Sequence, residues 1–187
     1  MPIEYFEEYD RYVMITGVRD VRVLGPEVVL QQLKRSANGV ETQVLDANGI
    51  AGKDHLRFAV LNALNGRAQG TQMAESLAVE VLLYASAQRQ IKNAIEALGV
   101  SQNSKNLAVI AIAKDRRLLE GFETTLPSNL GGERDESVLE EGDEPTVRRI
   151  FDITDDQVRA LLRRGVTKRE ALTRLVIEKM ALLSTQA

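Results

Sequence analysis

The sequence predicts an α+β (mixed α/β) domain in which a small central sheet is covered by helices, and three features support this class. The run LAVIAIA at residues 107–113 is continuous, apolar and short, which favours a buried central strand. Several other segments repeat apolar residues at helical spacing. The length of 187 residues fits one domain better than two, so we treat residues 1–187 as a single domain.

The first predicted strand covers residues 12–23, which mix β-branched and polar residues as a half-buried strand does. Gly17 and Asp20 interrupt this segment and indicate a bulge or a turn. A helix is predicted to begin at Pro26, because Pro is favoured in the first turn, and to stop at the Asn-Gly pair of residues 38–39. Its apolar positions are Val28, Val29, Leu33 and Ala37.

The next predicted elements are a short strand and two helical segments. Residues 40–45 alternate in polarity and stop at the turn sequence of residues 46–49. Residues 54–64 place apolar side chains on one stripe, and the Asn-Gly pair of residues 65–66 is predicted to end this helix with a left-handed cap. Residues 75–98 form a second helical block, in which we expect a break near Ser86.

The C-terminal third is predicted to contain a loop and a helical hairpin. Residues 127–142 combine a Gly-Gly pair with an acidic run, so we expect a mobile, solvated loop without a binding role. Thr154 with Gln157, and Thr167 with Glu170, match the capping box and mark two helix starts. The short link between these helices, with Gly165 at its centre, predicts a C-terminal helical hairpin.

The residue types argue against most catalytic and metal-binding chemistry. The chain has no Cys, which excludes disulfides, Cys nucleophiles and Cys-based zinc sites. His55 is the only His, and no Gly-x-Ser-x-Gly motif accompanies it. Residues 47–54, ANGIAGKD, are similar to a phosphate-binding loop but lack its first Gly and its final Ser or Thr, so only a weak anion site near Lys53 is expected. We therefore expect a protein that is not an enzyme and that needs no cofactor or metal.

The charge and hydropathy of the sequence indicate which kinds of partner the protein can bind. The formal net charge is −3, but residues 133–144 alone carry −6, which leaves +3 for the rest of the chain. A mildly basic body is compatible with a phosphate-rich partner. The N-terminus carries acid where a signal peptide carries positive charge, and no apolar run approaches membrane-spanning length. We expect a soluble, cytoplasmic protein without a membrane partner.

Two groups of cations lie at helical spacing. If residues 53–67 are helical, Lys53, Arg57 and Arg67 share one face. Arg89 and Lys92 form a second pair three residues apart. Either ordinary solvated helix faces or a modest phosphate-binding patch explains these cations, and the residues alone favour the solvated faces.

Residues 80–99, EVLLYASAQRQIKNAIEALG, resemble the signature of the kinase-binding subunit of the KEOPS complex, the PRPK-binding (TPRKB-like) family in its archaeal form. The pattern consists of Glu80, Tyr84, Ser86, Arg89, Gln90 and Ile91. Residues 53–63, 107–113 and 147–184 also agree with the family, whereas the first forty residues match least. Two positions depart from it. The family often has Gly where this chain has Ala87, and a basic residue, one possible phosphate contact, where it has Glu75.

The resemblance implies a non-catalytic adaptor that binds the small atypical kinase of the KEOPS complex and supports threonylcarbamoyl-adenosine formation on tRNA. It also implies capture of the tRNA acceptor end with its CCA tail, and indirect contact with other KEOPS subunits. Cations and groups that hydrogen-bond base edges suit such a tail. The RNA-binding candidates are Lys53, His55, Arg57, Arg67, Arg89, Gln90 and Lys92. Arg89 and Gln90 match the motif, and the others are chosen by charge and position.

The last helix supplies the candidates for the kinase-binding surface. Its apolar residues cover more of the circumference than one core stripe needs. A terminal helix that is buried on two sides explains this pattern equally well, but the resemblance favours an interface. The partner-binding candidates are Leu172, Val176, Met180 and Leu183. The alternative function is a purely protein-binding allosteric regulator of the kinase that has no direct contact with RNA.

Overall fold

The computed structural model describes residues 3–22, 25–36, 38–163 and 165–185, and an antiparallel sheet forms the centre of the fold. The sheet order is β1-β2-β4-β3, and β5 pairs with β2 on the same side as β1. The strands are β1 (Ile3–Phe6), β2 (Arg11–Arg19), β3 (Glu41–Asp46), β4 (Leu107–Ala113) and β5 (Glu133–Arg134). A small sheet covered by helices confirms the predicted α+β class.

Helices cover both faces of this sheet. Their bounds are α1 (Pro26–Ser36), α2 (Lys53–Ala68), α3 (Leu77–Ser86), α4 (Ile91–Leu98), α5 (Arg116–Leu130), α6 (Glu144–Phe151), α7 (Asp155–Leu162) and α8 (Lys168–Thr185). One core lies between the sheet and α1 and α5. A second core lies between the opposite face and α2, α3, α4 and the end of α8. A third, smaller core joins α6, α7 and α8.

The predicted central strand is confirmed as β4. All of its residues are buried, because they alternate between the two main cores on either face of the sheet. Ile110 and Ile112 face the α2 side, whereas Val109 and Ala111 face the α1 side. Burial on both faces explains why the sequence of this strand is continuously apolar.

The strand predicted at residues 12–23 is shorter than expected, and Gly17 does not form a bulge. The β2–β4 register runs unbroken through Gly17. A Cβ at this position would collide with the carbonyl oxygen of Asp135 and lie 2.9 Å from the Cβ of Val138. Gly17 therefore allows a neighbouring segment to approach the strand closely. Asp20, with a φ of 55°, forms the predicted turn.

The helix predicted at residues 54–64 does not end at Asn65 and Gly66. α2 continues to Ala68, and the left-handed conformation falls on Gly70, with a φ of 70°. Gly66 is buried inside the helix, where its missing side chain leaves room for the hydroxyl of Tyr84. The prediction of a cap was wrong, because α2 continues through Asn65 and Gly66 and the left-handed residue comes only at Gly70.

The predicted break near Ser86 is confirmed. α3 ends at Ser86, and Ala87 adopts the left-handed conformation with a φ of 52°. The N–H groups of Ala87 and Gln88 donate to carbonyl groups of the last turn of α3. The chain turns here and enters α4 at Ile91.

The prediction that residues 127–142 form a solvated loop was wrong. The segment begins inside α5, continues through β5 and forms a 3₁₀ turn at Glu136–Glu140. Val138 and Leu139 in this turn are buried in the protein. Arg19 on β2 holds the segment through ion pairs with Asp135 (2.7 Å) and Glu141 (2.8 Å). The acidic run therefore contains both core residues and partners for a basic side chain.

The C-terminal helical hairpin is confirmed, and both predicted capping boxes are present. The Gln157 N–H donates to Thr154 Oγ1 (3.3 Å), and the Thr154 N–H donates back to Gln157 Oε1 (2.9 Å). Thr167 and Glu170 form the same reciprocal pair at the start of α8, at 3.3 and 3.4 Å. Ala37 and Arg164, which belong to two predicted segments, lie outside the described residues.

Candidate functional site

His55 is buried and cannot contact RNA in this fold. Its Nδ1 accepts a hydrogen bond from the Ala51 N–H (3.1 Å), so Nε2 carries the proton and donates to the Ala85 carbonyl (2.7 Å). The ring also meets Phe151 edge to face at 5.4 Å. Burial lowers the pKa of His55 to about 4, and the bond to Ala85 partly opposes this shift. The prediction that His55 binds RNA was wrong, because its ring is a neutral core group.

The expected anion site at the start of α2 is occupied by a side chain of the protein itself. The Lys53 N–H donates to Glu140 Oε1 (2.8 Å), and Glu140 Oε2 pairs with Arg169 (3.0 Å). The Lys53 ammonium group lies 3.8 Å from a carboxylate oxygen of Glu136. A carboxylate at a helix N-terminus satisfies the first N–H groups and the helix dipole. Lys53 therefore contributes to holding the acidic 3₁₀ turn.

Arg57 is engaged by the N-terminal strand. Its guanidinium group forms an ion pair with Glu4, with its shortest contact at 2.6 Å, and lies 5.4 Å from the centre of the Phe6 ring. The hydrogen bond from Arg57 lowers the pKa of Glu4. Arg57 thus ties α2 to β1 and has a structural role that its spacing alone did not reveal.

The shared face of α2 does not create one cationic patch. Lys53 and Arg67 stand at opposite ends of this helix, about 21 Å apart at 1.5 Å per residue. Arg67 is exposed and donates to the carbonyl oxygen of Glu75. Helical spacing predicted the common face, but it did not bring these side chains together.

The motif residues Arg89 and Gln90 are exposed on the turn between α3 and α4. Arg89 donates to the carbonyl oxygen of Leu183 at the end of α8 (3.2 Å). Gln90 is the N-cap residue of α4, and no side-chain capping bond is present there. Lys92 is highly exposed on α4 and lies 4.0 Å from Glu96. The structure therefore places Arg89, Gln90 and Lys92 on one local surface.

A polar cleft of about 290 Å³ opens beside Arg89 and is named here the Arg89 cleft. It is lined mainly by Asn62, Asn65, Gln69, Thr71, Tyr84 and Arg89. The three amide side chains follow each other on the α2 surface at helical spacing. This i, i+3, i+7 pattern was visible in the sequence, but it contains no charge and was missed.

The buried half of the motif builds one wall of the Arg89 cleft. Glu80 is fully buried, and its carboxylate accepts hydrogen bonds from the N–H groups of Met73 (2.9 Å) and Ala74 (2.7 Å). Burial raises the pKa of Tyr84, and the neighbouring Glu80 adds to this effect. Glu80 therefore fixes the loop between α2 and α3, and Tyr84 points its hydroxyl toward Gly66.

The four predicted partner-binding residues of α8 belong to the core. Leu172 and Val176 lie in the core of α6, α7 and α8, whereas Met180 and Leu183 lie in the core beneath α2 and α3. All four are buried, which contradicts the prediction that they form an exposed face. The sequence showed a wide apolar circumference because α8 packs against two cores.

Other apolar residues, on α8 and on α4, are exposed. Leu182 is 49% exposed, and Ile91 and Ile95 on α4 are 48% and 53% exposed. A cleft of about 300 Å³ lies between the α3–α4 turn, the end of α6 and the end of α8. It is lined by Ile150 and Leu182 and also by the polar side chains of Gln88, Asp152 and Lys179, and it shares Leu183 with the Arg89 cleft. We name this site the Leu182 cleft.

The described part of the chain offers neither a metal site nor a membrane-spanning helix. No group of three or more His, Asp or Glu side chains is arranged to hold a metal ion within those residues. No helix in the same ranges is both long and apolar enough to cross a membrane.

A small α+β domain with large exposed apolar residues on α4 and α8 has the features of a protein-binding module. The family model described as "Kinase binding protein CGI-121" matches residues 19–184, and the chain belongs to this family. The relative "Regulatory protein Cgi121" from Methanocaldococcus jannaschii is 35% identical over 143 residues, which are 75% of this chain and 85% of that protein. The kinase-binding family expected from the motif is thus confirmed.

Proposed function

We propose that the chain is a non-catalytic, cytoplasmic adaptor of the KEOPS complex that binds its small atypical kinase and the CCA end of tRNA. One observation carries the proposal: two clefts share Leu183 beside the turn that presents the motif residues, and the large apolar side chain of Leu182 is exposed at one of them. The kinase-binding family supports the protein partner. The polar cleft supports the RNA partner.

The chemistry of the Arg89 cleft suits a single-stranded RNA end. Unpaired bases are recognised by hydrogen bonds to their edges, and the backbone is held by cations. Asn62, Asn65 and Gln69 supply amide donors and acceptors, and Arg89 stands at the rim. Gln90 and Lys92 follow Arg89 at the α3–α4 turn and are further candidate contacts. Arg67 lines a different cleft, and Lys53 and Arg57 are ion-paired with Glu136 and Glu4 outside the Arg89 cleft.

The chemistry of the Leu182 cleft suits a protein surface. Leu182 lines this cleft, and Ile91 and Ile95 are large exposed apolar residues on α4, which begins just after the α3–α4 turn. Burial of such side chains is the main source of affinity in protein interfaces. These three residues replace the buried α8 residues as candidates for kinase binding.

The absence of catalysis is proposed from the environment of the one His. Both ring nitrogens of His55 are engaged by backbone groups, and the ring is shielded from solvent. A general base must reach the proton that it removes. His55 cannot do so in this fold, and purified chain is expected to show no turnover.

RNA binding is tested with intact tRNA and with tRNA that lacks CCA, at two salt concentrations. We expect Arg89→Gln to weaken binding of intact tRNA about tenfold, equivalent to about 1.4 kcal/mol. Gly66→Ala is a second variant, because the added methyl group would lie 3.5 Å from the Tyr84 hydroxyl and fill part of the cleft without weakening the helix. Arg117→Gln on α5, an exposed Arg on the other side of the sheet, is the matched control.

Kinase binding is tested by co-purification of the two proteins. We expect Ile95→Glu or Leu182→Glu to abolish the complex, because a carboxylate would be placed in an apolar interface. Leu118→Glu is the control, since Leu118 is 40% exposed on the opposite layer. Kinase binding without any CCA-dependent RNA binding would refute the adaptor proposal and leave the purely protein-binding regulator.

A further inference from the structure

The strand β3 forms an open edge of the sheet. It pairs with β4 on one side, and no strand among the described residues pairs with its other side. The Ala47 N–H donates to the Asn106 carbonyl (3.0 Å), which continues the β3–β4 register by one residue. In an antiparallel pair, successive residues direct their N–H and C=O groups to opposite sides of the strand. Gln43 and Leu45 therefore bond to β4, as Ala47 does. Thr42 and Val44 therefore point their N–H and C=O groups away from the sheet.

A narrow groove follows this edge between α1 and α3. Its volume is about 180 Å³, and it is lined by Leu30 and Leu33 of α1, by Thr42 and Val44, and by Ala78 of α3. This volume is below the range of about 300–1,000 Å³ that is usual for small-molecule pockets. An extended peptide along this edge would place alternate side chains against the groove, and its backbone would meet the outward groups of β3.

Thr42 adds an independent observation at the groove. Its hydroxyl oxygen is buried and has no hydrogen-bond partner within the described ranges. Buried hydroxyl groups are nearly always paired, so this wall of the groove carries an unsatisfied polar atom in the free chain. The Val44 carbonyl accepts from the Gln43 side-chain amide (3.1 Å), which covers one outward group of this edge in the free chain.

The groove continues into a larger cleft whose lining is cationic. Glu41 lines both spaces, and the larger one, of about 480 Å³, is also lined by Arg11, Arg67 and Lys114. Arg11 donates to the carbonyls of residues 9 and 10, and Arg67 donates to the carbonyl of residue 75, so these bonds leave their charges uncompensated. With Glu8 and Glu41 included, the lining carries a net charge of +1, which favours an anionic group.

We propose that β3 accepts an extended segment of a partner protein as an additional antiparallel strand, with an acidic C-terminal end of that segment in the cationic cleft. Antiparallel addition places the C-terminal end of the segment beside Glu41, where the cleft begins. Main-chain hydrogen bonds to Thr42 and Val44 provide the pairing, and Arg11 and Lys114 provide the charge selectivity. This surface is separate from both proposed adaptor clefts.

The test uses ¹⁵N-labelled full-length protein and the synthetic peptide acetyl-Thr-Val-Thr-Val-Glu-Glu with a free carboxyl terminus. At saturating peptide, we expect amide hydrogen exchange of Thr42 and Val44 to slow at least tenfold. Gln43 and Leu45 should keep their rates, because their N–H groups already bond to β4. A peptide that ends in Lys-Lys-amide should bind more weakly.

Variants separate the backbone contribution from the charge contribution. Thr42→Pro removes an outward N–H and should abolish binding while the β4 pairing remains, whereas Thr42→Val keeps the N–H and should bind. Lys114→Gln should weaken binding of the acidic peptide between about twofold and fivefold, and Arg117→Gln should not change it. If Thr42→Pro does not fold, the exchange rates of the wild-type protein decide the question alone.

Three results would overturn the proposal. The first is unchanged exchange at Thr42 and Val44 with saturating acidic peptide. The second is protection of the same two amides by concentration-dependent self-association, since a second copy would then occupy the edge. The third is displacement of the acidic peptide by a single-stranded RNA oligonucleotide, since the cationic cleft would then belong to nucleic acid.

Discussion

Acidification should lower the free energy of unfolding because His55 is buried as a neutral ring. The shift of its pKa gives the size of this loss. Burial lowers the pKa of His55 from 6.5 to about 4, so the folded state binds a proton more weakly than the unfolded state. The stability that depends on neutral His55 is therefore complete above pH 6.5 and is lost as the pH falls toward 4. The difference between the two pKa values corresponds to about 3 kcal/mol.

Desolvation of the buried ring is the main cause, and protonated His55 would also lack an acceptor for its second proton. Nδ1 receives the Ala51 N–H, and protonation of this nitrogen would place two donors against each other. Because the ring is shielded from solvent, bulk water would not hydrate the charge. Most of the effect, about 2.5 kcal/mol, should be present at pH 4.5.

The assay compares urea unfolding at pH 7.5 and pH 4.5 for the wild-type protein and His55→Gln. The variant should be less stable at pH 7.5 because it loses packing and hydrogen bonds, but its stability should fall about 2.5 kcal/mol less on acidification. Hydrogen bonds from Ser137 and Arg19 lower the pKa of Asp135 to about 2, so Asp135 stays ionised at both pH values. An equal fall for both proteins, or an imidazole titration near pH 6.5, would contradict the buried neutral ring.

Three substitutions test the packing of the fold by urea unfolding. Gly17→Ala should lower the free energy of unfolding by about 2–3 kcal/mol, because its Cβ would collide with the Asp135 carbonyl, and an unchanged midpoint would show that the segment can move away. Ala87→Gly should raise stability by about 1 kcal/mol, since a left-handed conformation strains Ala but not Gly, and any loss would argue against that conformation. Thr16→Val should raise stability by about 1 kcal/mol, because the buried Thr16 hydroxyl has no partner within the described residues, and a destabilised variant would indicate a hidden partner.

The sequence correctly predicted the elements whose conformation is determined mainly by neighbouring residues. The two capping boxes, the apolar run of β4 and the end of α3 need only neighbouring residues or burial on both faces, and all are confirmed. α5 was missed because Gly121 and Pro127 interrupt a polar segment. Its spacing of Leu119, Phe122 and Leu126 nevertheless matches a buried helical stripe.

The site predictions failed for residues whose burial depends on elements that are distant in the sequence. His55 was chosen because it is polar and unique, but its burial is decided by α3 and α6, which pack against it. Leu172 and Met180 were chosen because α8 is apolar around much of its surface, and two separate cores use that surface. A single sequence does not distinguish a second core from an interface, because both require the same apolar residues.

The motif that identified the family combines a buried half and an exposed half, and the structure explains why they occur together. Glu80 and Tyr84 fix the loop after α2 and the wall of the Arg89 cleft. Ala87 then reverses the chain in a left-handed turn, so that Arg89 and Gln90 emerge at the rim. A change at Glu80 would therefore displace the exposed residues without touching a ligand. The buried residues of such a motif determine position, and only the exposed residues are available for contact.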